Sequence, residues 1–85
     1  MEYRATSINI DENRFRFYSM DIEINLFGSH ILTCGWGRIG KPINTRIAHY
    51  GTYDECLEKM KEIKEIREDH NYIELGKKNS LQKII

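Results

Sequence analysis

Proline and cysteine are scarce in this chain: Pro42 is alone among 85 residues, and the two cysteines, Cys34 and Cys56, stand far apart. Neither cysteine belongs to a C-x-x-C pair, so zinc and dithiol signatures are missing. Both are expected to serve as small buried hydrophobes, Cys34 on a strand and Cys56 on a helix. His30, His49 and His70 are scattered without metal-ligand spacing. No apolar run approaches the roughly 18 residues needed to cross a bilayer, and the opening MEYRATSINI lacks the hydrophobic stretch of a signal peptide. The expectation is a cytoplasmic protein with no cofactor, no metal and no membrane partner. Net charge is missing as well, with 13 Lys and Arg against 13 Asp and Glu, which on its face counts against a nucleic-acid partner. At 85 residues the chain has room for one domain, and not for a two-lobed enzyme or a sheet with a nucleotide crevice.

The zero charge is a cancellation between segments. Residues 1–27 carry five acids against three arginines, a net of −2. Residues 28–52 carry Arg38, Lys41 and Arg46 and no acid at all, a net of +3. Residues 53–75 hold eight acids against four cations, a net of −4, and the tail from Gly76 returns +3 through Lys77, Lys78 and Lys83. The acid-free centre and the basic tail can each present a local positive surface on a neutral molecule, unless the acid-free run is chance.

Periodicity divides the chain into a β-rich first half and one helix. Thr6, Ile8 and Ile10 alternate with Ser7 and Asn9 as an opening strand, ending at Asp11-Glu12-Asn13. Tyr18, Met20, Ile22 and Ile24 form one face of a second strand. Phe15 and Phe17 have the opposite parity, so the apolar face changes there, both faces are covered, or a bulge intervenes. Asn25 to Ser29 closes a hairpin into a third strand, His30 to Trp36, and Thr45 to Tyr50 alternates as a fourth. Then Tyr53, Cys56, Leu57, Met60, Ile63 and Ile66 recur at threes and fours, the stripe of an amphipathic helix fading near Asp69. Thr52 and Glu55 spell a capping box at its start. Tyr72 to Leu75 can add a short last strand. The expected fold is α+β, a small antiparallel sheet of about four to five strands with one helix across it. The expected domain covers residues 1–75, with a polar, basic tail over 76–85.

Gly35-Trp36-Gly37-Arg38-Ile39-Gly40-Lys41-Pro42 is the densest stretch. It spells both GxGxxG and GxxxxGK, but each nucleotide motif requires a helix to follow at once, so that its N-terminal N–H groups hold the phosphates. Here Pro42 occupies the magnesium-binding Ser/Thr position and a strand pattern follows. A glycine-rich turn between strands accounts for the glycines. It does not account for a Trp and an Arg set between them. Trp36 has little cover from its neighbours, so its ring is either a plug in the core or a platform for a base or ribose beside phosphate-neutralising cations.

The segment Trp36-Gly37-Arg38-Ile39-Gly40 resembles the signature of the WGR domain, a module of DNA-dependent poly(ADP-ribose) polymerases and of many bacterial proteins. Asn13-x-x-Arg16-Phe17-Tyr18 is similar to that family's lead-in to the second strand, and Leu26-Phe27-Gly28 to a hairpin of its bacterial members. Thr45-Arg46 follows the glycine turn, and Tyr72 resembles the family's closing Gly-Tyr. The likeness covers roughly residues 3–75. It implies a sheet-plus-helix fold and binding near DNA ends or nicks without sequence readout. It further implies Trp36 as the stacking platform beside Gly37, Arg38 as a cationic or interdomain contact, and Asn13 and Tyr72 as residues near the DNA end. Departures from the family pattern are Cys34-Gly35 where basic residues often precede the Trp, Lys41-Pro42-Ile43 in the turn, Asn71 in place of the closing Gly, and acidic Glu68 and Asp69. Each lost cation removes about one phosphate's worth of counterion release.

Three classes of function follow. The first is a nucleic-acid-binding module in which Trp36 stacks and Arg38, Lys41 and Arg46 meet phosphate, with Lys77 and Lys78 assisting. The second is a protein-interaction module using the Trp36/Arg38 surface or the acidic helix face, because Trp and Arg also dominate protein hot spots. The third, an enzyme, has no nucleophile–base pair, metal set or carboxylate pair to support it.

Overall fold

The computed structural model describes residues 2–76, so the basic tail expected beyond Gly76 lies outside the described residues. Five strands and one helix follow in order: β1 (Glu2–Asn9), β2 (Arg14–Ile24), β3 (His30–Arg38), β4 (Asn44–Gly51), α1 (Tyr53–Asp69) and β5 (Ile73–Glu74), with a single 3₁₀ turn at Ile10–Glu12. The strands form one antiparallel sheet in the order β4-β3-β2-β1-β5, and α1 lies across one face. The α+β expectation holds.

Strand parity decides which face the helix covers. Tyr3, Ala5 and Ser7 of β1 are buried, and so are Tyr18, Met20 and Ile22 of β2 and Leu32 and Cys34 of β3. These residues pair across the sheet as Tyr3–Met20, Ala5–Tyr18, Met20–Cys34 and Ile22–Leu32, so they share one face. Cys56, Met60 and Ile63 descend from α1 onto that face and close the core. Both cysteines are thus free, buried and placed as expected. Ile8 and Ile10, which carry the alternation of the opening strand, are instead exposed, Ile8 on the helix-free face and Ile10 in the 3₁₀ turn.

The parity conflict at Phe17-Tyr18 is settled without a bulge. Strand β2 keeps an unbroken register with both neighbours, and Phe15 and Phe17 are half-buried on the helix-free face. The Ile39–Ile43 turn folds back over that face: a Cβ on Gly37 would stand 3.3 Å from the Pro42 carbonyl oxygen and 3.5 Å from Phe17. Glycine at 37 is what lets the turn approach its own strand. The bulge lies in β4 instead, where Thr33 pairs with Ile47 but Leu32 with His49, leaving Ala48 as the extra residue. The expected alternation through Tyr50 therefore breaks, and Ile47 and Tyr50 share the helix-free face. A bulge and an exposed Arg46 on this outer strand also guard it against edge-to-edge pairing.

Both helix ends are chemically specified. At the start, the Glu55 N–H donates to Thr52 Oγ1 (3.1 Å) and the Thr52 N–H to Glu55 Oε1 (3.3 Å), the two halves of a capping box. At the end, the Tyr72 N–H reaches the Arg67 carbonyl (3.0 Å) and the Asn71 N–H the Glu68 carbonyl (3.1 Å). That is a Schellman motif, which requires a left-handed residue, and Asn71 supplies it at φ 69°. Asparagine tolerates this conformation better than other residues with a Cβ, so the exchange for the family's glycine keeps the geometry.

Candidate nucleic-acid interface

The helix-covered face continues past the helix. At the end of the sheet where β2 begins and β3 finishes, Tyr18 pairs with Trp36 and Arg16 with Arg38. The stripe Cys56, Met60, Ile63 on α1 extends by one more turn to Arg67, so a cation falls where the next core residue would be. Its guanidinium lies 4.4 Å over the Tyr18 ring centre and 5.7 Å from that of Tyr72. Tyr72 meets Tyr18 edge-on, with centroids 6.3 Å apart.

Trp36 is neither a plug nor a free platform. Its ring stacks against Tyr18 at 6.4 Å and 22° between planes, and it lines an open cavity of about 470 Å³ together with Arg16, Gly37, Arg38, Arg67 and Tyr72. The ring is half-buried, held from one side and available from the other. The glycines on either side of it put no side chain over it. A smaller cavity of about 190 Å³ joins Trp36 and Tyr18 to Arg46 and Arg67. Beyond the shared wall of Arg16, Arg67 and Tyr72 lies a third, of about 400 Å³, lined also by Ser7, Arg14, Asp69, His70 and Asn71.

Hydrogen bonds fix two of these cations, Arg38 and Arg14. Arg38 Nη1 donates to the Asn13 carbonyl and Nη2 to Asn13 Oδ1, each at 3.1 Å, and the guanidinium lies 5.3 Å from the centre of the Phe15 ring. Asn13 is left-handed at φ 54°, and both its carbonyl oxygen and its Oδ1 accept from Arg38. Arg14 Nε donates to Ser7 Oγ at 3.0 Å, and its Nη1 pairs with Glu12. The Arg67 Nε is buried and makes no hydrogen bond among the described residues. Burial, with a hydrogen bond to Cys34, pushes the Tyr18 hydroxyl up to about 12, so the ring stays neutral beneath Trp36 and Arg67. Among the described residues no group of three or more His, Cys, Asp or Glu is placed to hold a metal.

Of the seven residues singled out in the sequence, Trp36, Gly37, Arg38 and Tyr72 line the main cavity and Arg46 its neighbour. Asn13 stands behind Arg38 as its acceptor. Lys41 sits exposed in the turn, its N–H bonded to the Arg38 carbonyl, and lines none of these cavities. Sequence reasoning missed Arg14, Arg16, Tyr18 and Arg67 as site residues. The signal for three of them was present: Arg14 and Arg16 share the parity of Tyr18, Met20 and Ile22, and Arg67 continues the buried stripe of α1, so each is a cation set on an apolar register.

A protein described as uncharacterized protein y4dW, from Sinorhizobium fredii, is 37% identical over 57 residues, which is 65% of this chain and 28% of that protein. The chain thus spans well under half the length of this relative. No solved structure matches it significantly. The family model of the WGR domain matches residues 1–79, and with the Trp36-Gly37-Arg38 strand end, the aromatic stack and the flanking arginines in place, the chain belongs to the WGR domain family.

Proposed function

We propose that the chain is a non-sequence-specific nucleic-acid-binding module that engages DNA ends or nicks. The WGR domain is generally a nucleic-acid-binding module, and the observation that carries the reading here is the open cavity in which Trp36 and Tyr72 stand among Arg16, Arg38 and Arg67. A terminal nucleotide presents an apolar sugar or base face next to phosphate. The half-covered Trp36 ring suits the first, and the guanidinium groups of Arg16, Arg38 and Arg67 suit the second. An aromatic stack rigid on one side loses little freedom when it gains a partner on the other. Arg14 and Arg46, on either side, extend the cationic strip along the backbone of a strand. Nothing in this arrangement reads a base edge, so affinity should track ends and salt and not sequence.

The test is fluorescence anisotropy with nicked, blunt-ended and hairpin-closed duplexes across a salt series. Binding is expected for the first two, with log affinity falling as log salt rises by roughly 0.9 for each phosphate neutralised. Equal affinity for the closed duplex would remove the preference for ends, and no binding at low salt would remove the reading altogether. Trp36→Ala separates stacking from charge, since salt-dependent binding that survives it would leave only a cationic surface.

A further inference from the structure

The hairpin joining β2 to β3 ends the molecule opposite Trp36. From His30 to Trp36 the strand runs six residues, about 20 Å at the usual rise. At the hairpin tip Leu26 and Phe27 are 99% and 89% exposed, the two most exposed large hydrophobics among the described residues. The tip is firmly built. Asn25 Oδ1 accepts the N–H groups of Phe27 (2.9 Å) and Ser29 (3.0 Å), and Asn25 Nδ2 donates to Tyr50 Oη at 2.8 Å. The backbone closes through Asn25 N–H to the Ser29 carbonyl (2.8 Å) and Gly28 N–H to the Asn25 carbonyl (3.1 Å). Two apolar side chains are thus held out in water on a rigid frame, which is the form of a docking plug.

Charge narrows what the plug fits. Residues 22–33 and 47–55, which make up this end, contain Glu23, Asp54 and Glu55 and no Lys or Arg. The start of α1 belongs to the same end, since Gly51 pairs with His30 and Tyr53 packs edge-on against His30 at 5.3 Å. Acidic surroundings disfavour nucleic acid and anionic lipid and favour an apolar socket with a basic rim. This chain carries such a socket at its other end: the Trp36/Tyr72 cavity rimmed by Arg16, Arg38 and Arg67.

We propose that the hairpin tip of one copy docks in the aromatic–cationic cavity of a second copy, head to tail. At about 470 Å³ the cavity lies in the ordinary range for a ligand pocket, roughly 300–1,000 Å³. Plug and socket lie at opposite ends of the sheet, so a chain does not fill its own socket. The contact is heterologous and adds copies in series instead of closing a two-fold dimer. An interface of one plug is small, which makes the association weak and dependent on concentration. It also occupies the cavity assigned above to nucleic acid, so the two compete; only the competition rests on that reading, and the docking does not.

Sedimentation equilibrium of the whole chain at several hundred micromolar and low salt tests the docking. The expected mass exceeds the 10.1 kDa monomer, rises with concentration and falls as salt is added. Phe27→Ser and Trp36→Ala should each be monomeric, and their equimolar mixture should give a dimer and nothing larger, because one supplies the socket and the other the tip. Arg16→Glu, at an exposed side chain, is a second socket variant that does not threaten the fold; alone it should be monomeric, and mixed with Phe27→Ser it should give the same dimer. A monomeric wild type, an oligomer that survives Phe27→Ser, or a mixture that fails to associate would each overturn the docking. Nicked duplex added to the oligomer should dissociate it. If the oligomer behaves as stated but no duplex binds, the nucleic-acid reading falls and the docking stands; if duplex binds a strict monomer, the reverse holds.

Discussion

The two ends of the sheet present the same kind of side chain in opposite settings. At the end holding the first residues of β2 and the last of β3, an aromatic ring is backed by a second ring and surrounded by arginines. At the hairpin end, Leu26 and Phe27 have no apolar backing and the nearby charges are carboxylates. The helix runs between them with its acidic first turn, which suits its dipole, at the hairpin end, and its last turn at the Trp36 end, where Arg67 stands beside Glu68 and Asp69. Among the described residues, a hairpin end with carboxylates and no Lys or Arg thus stands opposite a cavity lined by arginines. What the difference teaches is that exposure of an aromatic does not by itself define its partner; the charges around it do.

The sharpest way to break this comparison is to remove one aromatic from each end. Trp36→Ala is expected to weaken binding to a nicked duplex by about 5- to 150-fold, from the ~1–3 kcal/mol that base–aromatic stacking contributes. Phe27→Ser should leave dilute duplex binding unchanged. Equal losses from both would show that charge does not separate the two ends. A smaller effect is expected from Arg67→Gln. It removes one cation common to all three cavities, so the slope of log affinity against log salt should fall by about 1. Urea unfolding should shift as well, because the guanidinium packs on both Tyr18 and Tyr72. A cation–π contact of this kind contributes ~0.5–2 kcal/mol.

How much of this was legible beforehand differs between the ends too. The capping box, the stripe of α1, the hairpin and the glycine turn were readable because each depends on spacing within a few residues. Trp36, Gly37, Arg38 and Tyr72 were readable through a family resemblance, and the fold brings them to one cavity. Arg67 was passed over because it lies inside a segment whose summed charge is −4, although its place four residues after Ile63 continues the buried stripe. The parity of β1 was misleading for a related reason. Ile8 outranks Ser7 in hydrophobicity, yet Ser7 is the buried residue, since Arg14 donates to its hydroxyl. The bulge at Ala48 left no local signal, as the alternation of Thr45 to Tyr50 reads as an unbroken strand.

Two weaker tests act on the helix start, at the hairpin end. Thr52→Ala removes the hydroxyl that accepts the Glu55 N–H and should cost ~1 kcal/mol of stability, read as a shifted urea midpoint. Duplex affinity should not change, because the cap lies at the far end from Trp36. A loss of affinity matching the loss of stability would show that the two ends are coupled through the helix.

The smallest effect is one of pH. The Glu55 carboxylate accepts from His49 Nε2 at 3.1 Å and from the Thr52 N–H at 3.3 Å. The His49 bond first, and the Thr52 N–H second, hold its pKa below the usual glutamate value, about 4.3. A carboxyl whose value is depressed on folding adds stability that is fully present above the unfolded value and disappears as pH falls through the folded one. Stability of the wild type relative to Glu55→Gln should therefore be greatest above about pH 5 and vanish in strong acid. The carboxylate is solvent-exposed, so water screens the interaction and the difference should be slight. Urea midpoints of both proteins from pH 7 down to pH 3 measure it. A gap that widens in acid would reverse the sign and show that the carboxyl is bound in its protonated form. A gap that is constant with pH would assign the effect to the cap's geometry and leave charge at this end to the hairpin.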